Sequence, residues 1–301
     1  MSDPREAVRH YVQFLREREG VREVPLTKAA REGLRKLMAQ SKAAQPNAPA
    51  KASIPVQRTP APTSIKPPAA GVASWPPGPG PVVTELPAVE ITGGTKVEQL
   101  RHLQERASVC VKCAHLAARR HTVVFGVGNP EAKLMFVGEG PGEEEDLKGE
   151  PFVGRAGQLL TKMIVAMGLT RDDVYIANIV KCRPDMPPGV SGNRKPTRQE
   201  MDACVPFLRA QIDIIKPAAM VALGATAVEG LLGPVGTIGS LRGKFLEYRG
   251  TPLMPTYHPS YLLRNASNTE KRKVWEDLLK VMERLEMPIS EKQRGFFLAK
   301  G

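Results

Sequence analysis

Four short apolar runs limit the fold of this chain more than any other feature: Lys133–Gly138 (KLMFVG), Val174–Val180 (VYIANIV), Ala219–Leu223 (AMVAL) and Leu253–Tyr257 (LMPTY). Each is far too short to cross a membrane, and its apolarity is too continuous for a strand with one wet face. Each therefore reads as a strand buried on both sides. Patterns of helical period separate them, at Gly157–Met167, Thr197–Ile215 and Ala225–Leu232, and a last one follows at Thr269–Leu285. Strands alternating with helices imply a parallel sheet covered on both faces. In such sheets ligands sit at the carboxyl ends of the strands.

The rest of the 301 residues divides by composition. Ser2-Asp3-Pro4 can cap a helix running to about Glu19, and a second helix is expected from Thr27, so residues 1–40 read as a helical appendage. Two helices this short make little core of their own. They suit docking on the main domain, on a second copy or on another protein, or else form a loose extension. Residues 41–94 are rich in Pro and Ala, sparsely charged and aperiodic, which reads as an extended linker. A folded domain is expected over 95–287, opening with a helix in TKVEQLRHLQERASVC, and 288–301 are expected to be a tail.

With 43 Lys and Arg against 31 Asp and Glu the net charge is +12, which favours a polyanion partner. No apolar run reaches membrane-spanning length and MSDPREAVRH lacks a secretory core, so a cytoplasmic protein away from membranes is expected. In that compartment the four cysteines read as metal ligands or redox groups rather than disulfides.

Candidate chemistry gathers at the ends of the strands. Gly138, Gly140 and Gly142 in VGEGPGEEED (137–146) let the backbone approach a ligand closely, with Glu139 at the strand tip. In GEPFVGRAG (149–157), Phe152 is placed as a stacking platform and the helix start at Arg155 as an anion site; a loop Phe plugging the core edge is the bland alternative. Asn178, inside the second strand, matches in its donor and acceptor the edge of a pyrimidine, or is a hydrogen-bonded structural amide. His258, just past the fourth strand, is placed to donate to a developing oxyanion. Tyr261, Leu262 and Leu263 form an apolar tip beside Arg264, suited to wedging into a base stack. Cys110-Val-Lys-Cys113, Cys182 and Cys204 make a four-thiolate set that fits either Zn(II) or a [4Fe–4S] cluster.

Taken together, GEGPGEEED (138–146), GEPFVGRAGQLL (149–160), NIVKCRP (178–184), LGATA (223–227), LRGK (241–244) and YHPSYLLR (257–264) resemble the family 4, iron–sulfur uracil-DNA glycosylases over roughly Thr95 to Leu285. The resemblance implies a three-layer α/β/α domain, here with a central four-stranded parallel sheet. It implies an enzyme that flips deoxyuridine from single- or double-stranded DNA and hydrolyses the glycosidic bond. It also implies a [4Fe–4S] cluster on Cys110, Cys113, Cys182 and Cys204. By motif position Phe152 stacks on uracil, Asn178 reads its polar edge, Gly138 and Gly140 border it, and Glu139 faces the site of the thymine methyl. His258 stabilises the departing anion.

Gly140 stands where other branches have an acid or amide, which leaves Glu145 as the preferred carboxylate for orienting water or stabilising the oxocarbenium ion. Arg155, Arg242, Lys244, Tyr261, Leu262 and Arg264 fall on the expected DNA side. The chain departs from the family in its N-terminal appendage and in an insertion around DMPPGVSG (185–192). No insertion follows the Phe152 loop of the kind found in a branch that attaches covalently to DNA, so turnover is expected. Two other readings of the residues are a non-catalytic nucleic-acid-binding module of the same fold in a repair or replication assembly, and a zinc-stabilised hydrolase of another nucleotide-like substrate.

Overall fold

The computed structural model describes residues 89–184 and 192–298. The helices expected before residue 41, the linker as far as residue 88 and most of the DMPPGVSG insertion lie outside the described residues. In chain order the elements are α1 Lys96–Ser108, α2 Ala114–Ala117, β1 Val127–Gly128, β2 Leu134–Gly138, α3 Glu143–Lys148, α4 Arg155–Ala166, β3 Tyr175–Asn178, α5 Arg198–Ile215, β4 Ala219–Leu223, α6 Ala225–Leu232, α7 Ile238–Leu241, β5 Leu246–Tyr248, β6 Thr251–Thr256, α8 Pro259–Arg264, α9 Asn268–Arg284 and α10 Glu291–Arg294. Thr95 and Thr197 start α1 and α5 as capping boxes, each accepting from the amide three residues on while Glu98 and Glu200 reach back.

The strand order is β1-β3-β2-β4-β6-β5. The inner pairs are parallel, and the two outer pairs, β1 with β3 and β5 with β6, are antiparallel. The period of two along each strand builds the layers. Leu134 and Phe136 of β2 face α4 and α9, with Leu160, Ile164, Leu278 and Val281. Met135 and Val137 face the opposite side, where α1, α5 and α6 supply Leu103, Leu208, Ile212 and Val228. Helices therefore cover both faces of one sheet, which is a three-layer α/β/α arrangement.

Three expectations are corrected. The sheet has six strands rather than four, because β1 and β5 are two and three residues long, too short to write a pattern into the sequence. Asn178 is the last residue of β3 rather than one inside it. The described part of the expected C-terminal tail is docked: Trp275 Nε1 donates to Gln293 O (2.6 Å) and Gln293 Nε2 to Ala166 O (2.8 Å).

Candidate active site

β2 and β3 end side by side, with Gly138 opposite Asn178. Their pairing continues past the strands, through Ile179 N–H to Gly138 O (2.9 Å) and Val180 N–H to Glu139 O (3.2 Å). At this carboxyl edge lies a cleft of about 500 Å³ whose walls include Glu139, Gly140, Glu145, Phe152, Asn178 and His258. The strand ends thus bring together the residues singled out for substrate.

Asn178 is 2 % exposed, and its Oδ1 has no hydrogen-bond partner among the described residues. Leaving such an oxygen unpaired costs about 1–3 kcal/mol in a folded protein. Gly138 explains how the amide and the Phe152 ring fit: a Cβ there would lie 2.4 Å from Asn178 Oδ1 and 2.5 Å from Phe152 Cζ. Gly138, Gly140 and Gly142 all have ordinary negative or extended φ, so they are needed for the missing Cβ and not for a special turn.

Phe152 adopts φ of +57°, a left-handed conformation that strains a non-glycine residue by about 1–3 kcal/mol. Gly157 makes room for it, since a Cβ there would meet Phe152 O at 1.8 Å. The loop is held from two sides. Glu145 Oε1 accepts Val153 N–H (3.0 Å) and Gly154 N–H (2.9 Å), and Arg171 donates to Phe152 O (3.2 Å) and Pro151 O (2.9 Å).

His258 caps α8, and its Nδ1 accepts Ser260 N–H (3.1 Å), with Ser260 Oγ at 2.8 Å. An accepting Nδ1 places the proton of the neutral ring on Nε2, the nitrogen left for a ligand. Burial pushes the imidazole pKa down to about 4; the Arg264 cation adds to this and Glu145 opposes it. The ring is therefore a neutral donor at physiological pH.

The two candidate carboxylates differ. Glu145 accepts three backbone N–H groups, counting Gly142 N–H on Oε2 (3.0 Å), which fills three of its roughly four acceptor sites. It clamps α3 to the Phe152 loop and keeps about one acceptor site for the cleft it lines. Glu139 lines the cleft with no side-chain hydrogen bond to another described residue.

The residues expected at DNA separate into two groups. Arg264 lines the cleft rim, and Arg155 and Lys244 are exposed. Arg242, by contrast, is locked to Asp277, which is fully buried (Nη2–Oδ1 2.9 Å, Nε–Oδ2 3.1 Å), and to Lys273 O, with its guanidinium over the Tyr257 ring. It braces the end of β6, where Thr256 Oγ1 also donates to Asp277. Leu262 is buried on the α4–α9 side, leaving Leu263 as the exposed apolar residue of the tip. Tyr261 stacks on Tyr257 at 4.5 Å and donates to Glu270.

The four cysteines are half-buried free thiols. Burial, the largest cause, holds the Cys113, Cys182 and Cys204 thiols above the ordinary value, Cys204 at about 12, and the charges of neighbouring thiols push the same way. Lys181 N–H donates to Cys204 Sγ (3.2 Å) and Arg120 to Cys182 Sγ (3.3 Å). Among the described residues no three His, Cys, Asp or Glu close in on a single ion. The four thiols act on one another electrostatically and two of their sulfurs accept N–H donors, a donor set that suits either a zinc ion or an iron–sulfur cluster. Sequence reasoning missed Arg120, Arg171 and Ser260; only Ser260, two residues after the histidine, had a local signal.

Residues 125–279 match the family model described as the uracil DNA glycosylase superfamily. The type-4 uracil-DNA glycosylase of Thermotoga maritima is 48 % identical over 188 residues, 62 % of this chain and 94 % of that protein. That of Sulfurisphaera tokodaii is 39 % identical over 211 residues, 67 % of this chain and 91 % of its own length. The type-5 uracil-DNA glycosylase of Pyrobaculum aerophilum is 30 % identical over 207 residues, 58 % of this chain and 87 % of its own.

Proposed function

This chain belongs to the uracil-DNA glycosylase superfamily, in its type-4 branch, and we infer from that membership that it is a DNA repair enzyme releasing uracil from DNA and leaving an abasic site. The observation that carries the assignment to particular residues is the orphaned Asn178 Oδ1 in a cleft shared with Phe152 and His258. Uracil presents the N3–H donor that this acceptor lacks, next to a carbonyl that can take the amide's own N–H. Phe152 stacks on the flipped base and Glu139 stands toward its C5 edge, where thymine carries a methyl.

In the reaction the C1′–N1 bond breaks and its electron pair leaves on uracil, with charge developing on O2. The Nε2–H of neutral His258 donates to that charge. Fixed donors aimed at developing charge are the largest single contribution in many such enzymes. Water adds to C1′, and the proton it gives up ends on the released uracil. Glu145, through its remaining acceptor site, holds the water or balances the positive sugar.

Cys110, Cys113, Cys182 and Cys204 would hold a [4Fe–4S] cluster, which would supply a covalent crosslink between the α1–α2 turn, α5 and the segment after β3. Thiolate ligation of this kind rather than disulfide formation suits a reducing compartment, so the proposed location is the cytoplasm. Among the described residues no helix is long and apolar enough to cross a membrane.

The test is uracil release from single-stranded DNA and from U·G and U·A duplexes, by protein whose iron and sulfide have been quantified. Release without backbone cleavage is expected; fully metallated protein that frees no uracil from any of the three substrates overturns the reading.

A further inference from the structure

We propose that Arg171 is a positioning residue that fixes the base-stacking ring of Phe152, a role that rests on the reading of Phe152 as the platform for the flipped base. Arg171 lies in the turn between α4 and β3 and is not among the residues lining the cleft. Its guanidinium reaches back to the Phe152 loop, donating from Nη2 to Pro151 O (2.9 Å) and from Nη1 to Phe152 O (3.2 Å), with Thr161 Oγ1 at 3.4 Å.

These two carbonyls belong to the peptide planes before and after Phe152. Holding both planes fixes φ and ψ of that one residue, and so the direction in which its ring leaves the backbone. The conformation needs holding, because φ of +57° is left-handed and a phenylalanine enters that region only when its surroundings impose it. Glu145 fixes the amides that follow, at Val153 and Gly154, but binds neither carbonyl. Gly157 leaves space beneath Phe152 O without bonding to it. Arg171 is therefore the side chain that spans the residue. The ring it aims sits over Gly138 and 5.6 Å from the His258 ring, so a turn of the Phe152 backbone moves the stacking surface against both. A planar fork serves two acceptors at fixed separation, and an ammonium group does not replace it.

The experiment uses the full, metallated chain and compares wild type, Arg171→Met, Arg171→Lys, Phe152→Ala and the Phe152→Ala/Arg171→Met double variant. It measures kcat and KM on a uracil-containing oligonucleotide, inhibition by free uracil and thermal melting. Arg171→Met is expected to lower kcat/KM about 10- to 100-fold and to weaken inhibition by free uracil, the size of effect that small misplacement produces. Arg171→Lys should fall in the same direction, and it serves as the probe if the Met variant does not fold. On the Phe152→Ala background, loss of Arg171 should change excision by less than about twofold, since residues acting through one another are not additive.

Wild-type kinetics in both Arg171 variants, or an undiminished loss on the Phe152→Ala background, overturns the proposal. If Phe152→Ala alone leaves excision and uracil inhibition unchanged, the reading of Phe152 fails instead. That result is distinct from an impaired Phe152→Ala beside unimpaired Arg171 variants.

Discussion

The rings of Phe152 and His258 lie 5.6 Å apart, centroid to centroid, at 32° to each other, although one leaves the loop before α4 and the other the end of β6. Each contributes to the apolar enclosure of the other. That enclosure keeps the imidazole neutral and Nε2 protonated while Ser260 holds Nδ1.

His258→Ala should lower the excision rate about 10²–10³-fold while leaving the fold intact by circular dichroism. The wild-type single-turnover rate should show no inflection at the ordinary histidine value of 6.5, because the folded-state pKa is about 4. Stability gives the second readout. Between 4 and 6.5 the unfolded chain binds more protons at this residue than the folded one, so stability falls as pH drops through that window. Above the window the residue contributes no pH dependence, and His258→Ala should flatten the slope within it. An unchanged slope by denaturant titration would remove the assigned burial effect.

Asn178→Leu should separate activity from stability. The substitution removes a buried oxygen with no partner among the described residues, so the free protein should gain about 1 kcal/mol or lose nothing. Excision should nevertheless collapse, because the base then meets an apolar wall. A melt showing clear destabilisation together with normal kinetics would make Asn178 a structural amide.

Gly138→Ala tests how tightly the pocket is built. A single methyl would come within 2.5 Å of both Asn178 Oδ1 and the Phe152 ring, and backbone pairing with β3 keeps position 138 from retreating. Overpacking of this kind costs about 1–3 kcal/mol, and excision should fall at least about 100-fold as both side chains shift. Melting and steady-state kinetics check the two parts.

Arg242 and Arg264 should part company. Arg242→Ala leaves Asp277 buried without its cation and should destabilise the domain by roughly 3–5 kcal/mol. It should not alter the salt dependence of DNA binding. Arg264→Ala should leave the melting temperature nearly unchanged and reduce the slope of log affinity against log salt by about 1. The reverse pattern would return Arg242 to the DNA interface.

Where sequence and structure agree, the governing forces act over a few residues. β4 and α6 occupy Ala219–Leu223 and Ala225–Leu232 as their patterns require, and the Thr197–Glu200 box starts α5. The site residues at strand ends were legible because the topology of a parallel sheet brings carboxyl ends together. The structural hold of Glu145 was not legible, because its partners, the amides of residues 153 and 154, become neighbours only when the loop folds over α3. Leu262 was misread for a related reason: a six-residue helix shows one face to α4, and its period alone does not say which leucine that is.

The order and type of the main elements, their caps and the candidate set of Glu139, Phe152, Asn178 and His258 all follow from local pattern and motif. Tertiary structure alone decided the six-stranded count, the pairing of Arg242 with Asp277, the neutral state of His258 and the hold of Arg171 on Phe152. The physical reason is range. Period and propensity are written along the chain, whereas burial, desolvation and hydrogen bonds between distant segments exist only after the chain has closed on itself.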